Sequence, residues 1–160
     1  MAKLNVKGLT DFSIQLAELQ RGSPQVMSAA VYAGSGKMVE AVKTEIQALP
    51  TQEGYMRPGD LRDTVTKREK EELLSHVGIS AITLENGVCS AAIGFDGYTK
   101  TATKKYPGGV PVPLIARSVE SGSSVRVKHP FMRSAANKNK YAIQEAMKAA
   151  AEAKINEITK

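Results

Sequence analysis

Apolar positions recur every three or four residues near the start of the chain, the spacing of an amphipathic helix. The stripe consists of Leu9, Phe12, Leu16 and Leu19. It predicts a short helix that Gly22 ends and that packs against a partner surface rather than standing alone.

A second stripe predicts one long helix over residues 24–49. Ser23 and Pro24 have the sequence of a helix cap followed by proline at the first helical position. Gly34 and Gly36 either weaken this helix locally or let another element come close. The apolar face comprises Val31, Ser35, Met38, Val42, Ile46 and Leu49.

Two β-type runs predict a hairpin over residues 77–95. The runs ITLE and VCSAAIGF flank Asn86 and Gly87, and Asn-Gly favours a two-residue hairpin turn because both turn residues must adopt positive φ. Residues 50–60, rich in proline and glycine, predict a loop. Residues 66–74 are highly charged and are compatible with a helical turn.

The remaining chain predicts a long loop, two short strands and a final helix. Residues 96–113 have the Gly, Thr, Lys and Pro content of an exposed, mobile loop, with 97–110 at its centre. Residues 114–119 and 124–128 predict strands, and an apolar stripe predicts a helix over 141–158. The sequence therefore predicts a single α+β domain over residues 1–160, with two or three helices packed on a small antiparallel sheet.

Charge is distributed unevenly along the chain. The net charge is +6, yet residues 97–140 hold nine Lys or Arg against one acid, Glu120, while the rest holds thirteen basic and fifteen acidic residues. A concentrated positive segment attracts nucleic acid, acidic protein or another anionic surface through long-range electrostatics.

Cysteine content and hydropathy limit the cellular context. Cys89 is the only cysteine, which excludes an internal disulfide and any multi-cysteine metal site and fits packing in a reducing compartment. The first residues lack the apolar core of a signal peptide, and nowhere do about 18 apolar residues run together. We therefore expect a protein of a cytoplasm, with no membrane contact.

The sequence gives no support for a catalytic, cofactor or metal site. Residues 32–38 superficially resemble a phosphate-binding loop, but Val31 stands where the first glycine belongs and Met38 replaces the magnesium-binding hydroxyl. His76 and His129 are the only histidines, and neither has a second ligand at metal-binding spacing. An enzyme would need a pocket that gathers one of these histidines with carboxylates.

Two regions of the chain, residues 58–63 and 112–135, resemble a known family. After a long helix and a proline loop, residues 58–63 read PGDLRD, similar to the "P-x-x-T-G-x-L-R-x-S" turn of tail-component or tail-completion proteins of long-tailed bacteriophages. Residues 112–123 and 129–135 resemble the later "A-x-x-x-E-x-G-T" and "P-F-x-R-P-A" signatures, again followed by a helix. The family is typified by gene product ten of the lambdoid phages, and the ordered match spans roughly residues 6–158.

Several positions depart from the family pattern. Asp60 and Asp63 stand where other polar residues are usual, Ser123 follows the glycine in place of Thr, and Ser134 replaces the second Pro. The loop over residues 96–110 is also longer. These departures affect the expected ring contacts more than the fold.

The resemblance implies a virion structural protein of the neck, joining or completing the tail at the head-tail interface. It implies a homo-oligomeric ring around the DNA channel, with a hexamer as one candidate. The partners would be other copies of the chain, a tail-tube or tail-terminator protein, the head connector, and non-specifically the DNA. Assembly would take place in the host cytoplasm.

A set of residues is expected to form the subunit or partner interface. Phe131 and Met132 would form an apolar anchor with a charged rim, although Phe131 could equally be a core residue that seats the last helix. Arg62 would be either an intersubunit ion-pair partner or solvated, with Leu61 then filling the core. The full set is Leu61, Arg62, Lys100, Lys104, Lys105, Arg117, Glu120, Pro130, Phe131, Met132 and Arg133.

A basic DNA-binding accessory protein is the alternative function. Tyr98, Tyr106 and Phe131 lie among the lysines of the basic segment, a pattern compatible with base stacking and phosphate contact. Such binding would weaken steeply as salt rises, whereas ring assembly would depend on salt only modestly.

Overall fold

A long helix runs through the first third of the protein. The computed structural model describes residues 7–52 and 61–159, with side chains described from residue 12 onward. Helix α1 spans Lys7–Ala48, 42 residues, and is therefore about 63 Å long. The predicted apolar face is confirmed, with Val42 and Ile46 fully buried.

The predicted helix end at Gly22 is wrong, because α1 continues through Gly22 and Pro24. Proline removes one backbone hydrogen bond and costs about 3 kcal/mol within a helix, which tertiary packing can offset. Gly22 is buried, and a Cβ on it would collide with the Ile158 side chain. The glycine therefore permits a helix contact instead of terminating the helix.

The last helix, α4, spans Phe131–Ile158 and runs antiparallel to α1. Gly22 meets Ile158 at one end, Gly34 meets Met147 in the middle, and Lys138 bonds Glu45 nearer the other end. The helix begins ten residues before the predicted start at 141. Its first turns are mostly polar, so the predicted stripe covered only the later part.

Two shorter helices, α2 and α3, lie between α1 and α4 in the chain. Helix α2 spans Lys67–His76 and begins with a capping box, in which Thr66 and Glu69 bond each other's backbone N–H. Helix α3 spans Val112–Ser121 and buries three residues at helical spacing. The predicted strand at 114–119 is therefore wrong, since a short apolar run does not distinguish a strand from a buried helix.

The predicted strand at 124–128 is also wrong. Residues 124 and 125 form a turn, and Arg126 makes isolated bridges to Ser123 and, in parallel, to Arg62. Arg62 accepts a hydrogen bond from Val127 N–H and donates one to the Val125 carbonyl, so this segment lies beside residues 61–63.

The hairpin over residues 77–95 is confirmed, with its two arms paired in two successive two-stranded segments. Strand β1 (Val77–Ile79) pairs antiparallel with β4 (Ile93–Phe95), and β2 (Thr83–Glu85) pairs antiparallel with β3 (Val88–Ser90). Asn86 and Gly87 have φ of 51° and 78°, as the predicted turn requires. These small antiparallel ribbons and the helices confirm the α+β class.

The core lies where α1, α2, α3, β4 and the start of α4 converge. Its largest fully buried side chains include Ile46, Leu73, Val112 and Val119. Phe131 meets Phe95 edge-on, with ring centroids 5.9 Å apart. The segment between β4 and α3 has no regular secondary structure, as predicted for a loop. Hydrogen bonds between Thr99 and Val110 hold its two ends together.

Candidate functional site

Most of the residues predicted for an interface lie on the surface. Leu61 is 59% exposed, although a core position was the alternative for it. The exposed members of the set are Leu61, Arg62, Lys100, Lys104, Lys105, Arg117, Pro130 and Arg133.

Three residues of the set have structural roles within the subunit. Phe131 is 2% exposed, which is the core alternative and not an apolar anchor for a neighbour. Met132 is half-buried against the same core. The Glu120 carboxylate accepts hydrogen bonds from the backbone N–H groups of Met132 (2.7 Å) and Arg133 (3.3 Å), so it caps a helix that has no side-chain cap of its own.

The two histidines have different neighbours: His129 contacts Asp63, and His76 contacts Glu72. A ring nitrogen of His129 lies 2.8 Å from the Asp63 carbonyl and 3.2 Å from the Asp63 carboxylate. Nδ1 of His76 lies 2.9 Å from the Glu72 carbonyl. Among the described residues, no group of three or more His, Cys, Asp or Glu could hold a metal ion.

A recess of about 200 Å³ brings His129 together with Glu45 and Ser134. Its groups are already engaged, since the Lys138 ammonium bonds the Glu45 carboxylate at 2.8 Å. This hydrogen bond lowers the pKa of Glu45, a bond from Ser134 acts in the same direction, and burial opposes both. A carboxylate held in its charged form is poorly suited to general acid chemistry.

The segment that resembles a phosphate-binding loop lies in the middle of α1. Gly34 is buried, and a Cβ on it would lie 2.5 Å from Met147 Cγ. These small residues therefore form a helix contact, and the backbone N–H groups of a continuous helix are not free to cradle phosphate.

The irregular segment before α3 carries a basic surface. Lys100, Lys104 and Lys105 are exposed, and none forms an ion pair with a described residue. Lys105 Nζ lies 5.6 Å from the centre of the Tyr106 ring, a cation-π contact. Uncompensated charges of this kind attract an acidic protein or nucleic acid.

Near its start, α1 exposes several apolar side chains. Because Ile158 at the end of α4 lies opposite Gly22, the turns of α1 before Gly22 extend beyond α4. Every residue from 12 to 18 is exposed, including Phe12 at 62%, Ile14 at 52% and Leu16 at 57%. The apolar stripe was visible in the sequence, but its exposure depends on where α4 ends.

A charged cluster that the sequence did not indicate lies where α2 begins. Arg126 is 6% exposed, and its Nη2 donates to Glu69 Oε1 at 2.6 Å, while Arg62 Nη1 lies 3.9 Å from the same oxygen. Nη1 of Arg126 is buried and has no hydrogen-bond partner. With valines on both sides, this arginine carried no sequence signal of burial.

A cavity of about 330 Å³ adjoins this cluster. Its wall includes Arg62, Arg68, Glu69 and Glu72, together with hydroxyls of the irregular segment. Both carboxylates are engaged: Glu69 by Arg126 and by the α2 cap, and Glu72 by the backbone N–H of Lys100 at 3.3 Å. The threonines of the wall are Thr66, Thr99, Thr101 and Thr103.

Comparisons with known proteins leave the family open. No protein-family model, curated protein or solved structure matches this chain. In the part of the chain that the structure describes, none of the helices combines the length and the apolar character needed to cross a membrane.

Proposed function

We propose that the protein is a structural subunit of the neck or tail of a long-tailed bacteriophage, where it joins or completes the tail as part of a homo-oligomeric ring. The observation that carries the assembly role is the exposed apolar start of α1. Exposed apolar side chains grouped on one helix, here Phe12, Ile14 and Leu16, mark a contact surface. The resemblance over residues 112–135 supports the phage assignment.

A ring requires that one patch of a subunit meets a different patch of its neighbour. The start of α1 supplies an apolar patch, and Lys100, Lys104 and Lys105 supply a basic patch elsewhere in the chain. Two unlike surfaces suit contacts with other subunits, with a tail-tube or tail-terminator protein and with the head connector. The proposal assigns no catalytic role and no cofactor.

The test is the solution mass of the protein by light-scattering chromatography at low and high salt, alone and with a candidate tail-tube protein. We expect a closed oligomer that persists at high salt, because apolar contacts resist screening. The double variant F12D/L16D should shift it to monomer. Tyr141→Asp is the matched control, since Tyr141 is 81% exposed on α4, away from this surface.

A wild-type protein that stays monomeric in every condition and with the tail-tube protein would refute the ring. If Tyr141→Asp lowered the solution mass of the oligomer as much as F12D/L16D does, the α1 surface would have no specific role in assembly. Rings seen by electron microscopy within purified phage tails would connect the oligomer to the virion.

A basic DNA-binding accessory protein is the second candidate, and it is favoured by Lys100, Lys104 and Lys105, which form no ion pair with a described residue. Binding driven by phosphate contacts loses affinity steeply with salt, with a slope that reports the number of contacts. A monomer that binds duplex DNA with such a slope, and no tail protein, would establish this alternative.

A further inference from the structure

We propose that an exposed apolar surface formed by Leu61, Val125 and Val127 binds the start of α1 from a second copy of the chain. We name this surface the valine patch. The inference rests on the proposed ring, because it identifies the part of one subunit that receives the apolar start of α1 from its neighbour.

The first argument is the direction of the side chains in the paired segments 61–63 and 125–127. Arg62 and Arg126 lie opposite each other in a parallel bridge, and both side chains reach the Glu69 carboxylate. Successive side chains of an extended segment point to opposite sides. The chain neighbours of the two arginines therefore lie on the solvent side, and three of them are exposed apolar residues: Leu61, Val125 and Val127.

A buried arginine between two exposed valines reverses the usual arrangement of a protein surface. Arg126 is buried and donates to Glu69 at 2.6 Å, and the removal of such an ion pair from water has a large free-energy cost. The pair holds this segment in the orientation that presents its apolar side chains to solvent. Because grouped apolar side chains at a surface mark a contact site, a partner accounts for this orientation.

The second argument is the position of the valine patch, which lies at the opposite end of α1 from the apolar start of that helix. The Val65 N–H donates to the Pro50 carbonyl, and the Val65 carbonyl accepts from Gln52 N–H, so this segment lies beside the end of α1. At 1.5 Å per residue, Leu16 is roughly 50 Å from that end. The two apolar surfaces of one subunit therefore cannot meet, and contact between them requires two copies in a head-to-tail, heterologous arrangement.

The third argument is charge complementarity around the two surfaces. Glu18 and Arg21 are exposed on α1 beside its apolar start, and neither forms an ion pair with a described residue. Beside the valine patch, Lys128 is exposed and likewise forms no ion pair with a described residue, while the exposed Asp63 contacts the His129 ring. Two opposite-charge pairs are therefore available across the contact, Glu18 with Lys128 and Arg21 with Asp63, and such pairs favour one partner and one orientation.

The direct test places the photo-crosslinking residue p-benzoylphenylalanine at position 12 of the full chain, in place of Phe12. After irradiation at high protein concentration, mass spectrometry should find crosslinks from position 12 to residue 61 or residues 125–127 of a second copy. Crosslinks to other segments alone, or the absence of any crosslink between copies, would overturn the proposal.

Two matched variants test the energetic role of the valine patch. Val125 is 61% exposed in the patch, and Val88 is 65% exposed on β3, so aspartate adds the same charge at a similarly exposed valine in each case. We expect Val125→Asp to weaken self-association about tenfold in sedimentation equilibrium, because the contact would bury an unpaired carboxylate. Val88→Asp should leave self-association unchanged, and both variants should match the thermal unfolding of the wild type. Equal weakening by the two variants would contradict the assigned role.

The same experiments separate this inference from the ring on which it rests. Closed rings that form without these crosslinks and tolerate Val125→Asp would refute the valine patch and leave the ring in place. Crosslinked pairs or open chains that never close, and that Val125→Asp disrupts, would support the valine patch and refute the ring.

Discussion

Two glycines only two positions apart in α1 have opposite roles. A Cβ on Gly34 would lie 2.5 Å from Met147 Cγ and 2.8 Å from its sulfur, whereas a Cβ on Gly36 would meet nothing within 4 Å. Gly34 is therefore required by the contact between α1 and α4. Gly36 lowers helix propensity with no packing benefit that the structure shows.

This difference predicts opposite effects of the same substitution. Gly34→Ala should lower the free energy of unfolding by about 1–2 kcal/mol, because Met147 must shift to admit the methyl group. Gly36→Ala should raise it by up to about 1 kcal/mol through helix propensity. Urea unfolding of both variants measures the contrast, and a loss in both would contradict the assigned roles.

At the level of elements, the start of α4 is determined by a residue from another helix. Pro130 stands at the N-cap position and offers no side-chain hydrogen bond. Glu120, on α3, supplies the missing acceptor to Met132 and Arg133. The negative charge of the carboxylate also interacts favourably with the positive end of the α4 dipole. Glu120 therefore connects α3 to α4 and stabilises the position at which α4 begins.

We expect Glu120→Ala to lower the free energy of unfolding by about 1–2 kcal/mol, the usual effect of losing a helix cap. Amide hydrogen exchange should accelerate in the first turn of α4. Glu152→Ala is the control, since Glu152 is 61% exposed and, among the described residues, its ion pair is the long one with Lys148 at 4.0 Å. Unchanged exchange in residues 131–134 would show that Glu120 is not the cap.

Some secondary-structure elements follow from a local sequence pattern, and others do not. The hairpin followed from Asn86-Gly87 because its turn geometry depends on two adjacent residues. The prediction of a strand at 114–119 was wrong because the burial of Val112, Ala116 and Val119 on one helical face becomes visible only with the packed core. The extension of α1 through Pro24 has a similar cause, since the contact with Ile158 lies far along the chain.

The whole molecule depends on the antiparallel pairing of α1 and α4. One polar connection across this pair is the bond from Lys138 to Glu45, which lowers the pKa of the Glu45 carboxyl. A carboxyl whose folded pKa lies below its unfolded pKa stabilises the fold above the unfolded value. That contribution disappears as the pH falls through the folded pKa.

Lys138→Met should therefore lower the free energy of unfolding at neutral pH, by less than about 1 kcal/mol because Lys138 is largely exposed. The difference from the wild type should shrink as the pH falls below about 4. Lys148→Met, which removes the longer pair with Glu152 at 4.0 Å, in which both side chains are largely exposed, is the control. A difference that stays constant across the acid range would contradict the assignment to Glu45.

Some features of the predicted interface depend on neighbouring residues in the sequence, and others depend on contacts between distant segments. Exposure of Lys100, Lys104 and Lys105 followed from their polar neighbourhood, whereas the sequence left burial of Phe131 as one of two alternatives and did not indicate burial of Arg126. Phe131 meets Phe95, and Arg126 meets Glu69 fifty-seven positions away. No local pattern contains such partners.

The sequence by itself determined the helical stripe of α1 after Pro24, the hairpin turn, the concentration of positive charge and the α+β class. Each depends on residues within a few positions of one another, where periodicity and backbone preference act directly. The tertiary structure alone decided that α1 is continuous, that Phe12 and Leu16 are exposed beyond the end of α4, and that Arg62 and the buried Arg126 approach the same carboxylate, Glu69. Those features depend on contacts between distant segments, whose energies appear only when the chain is packed.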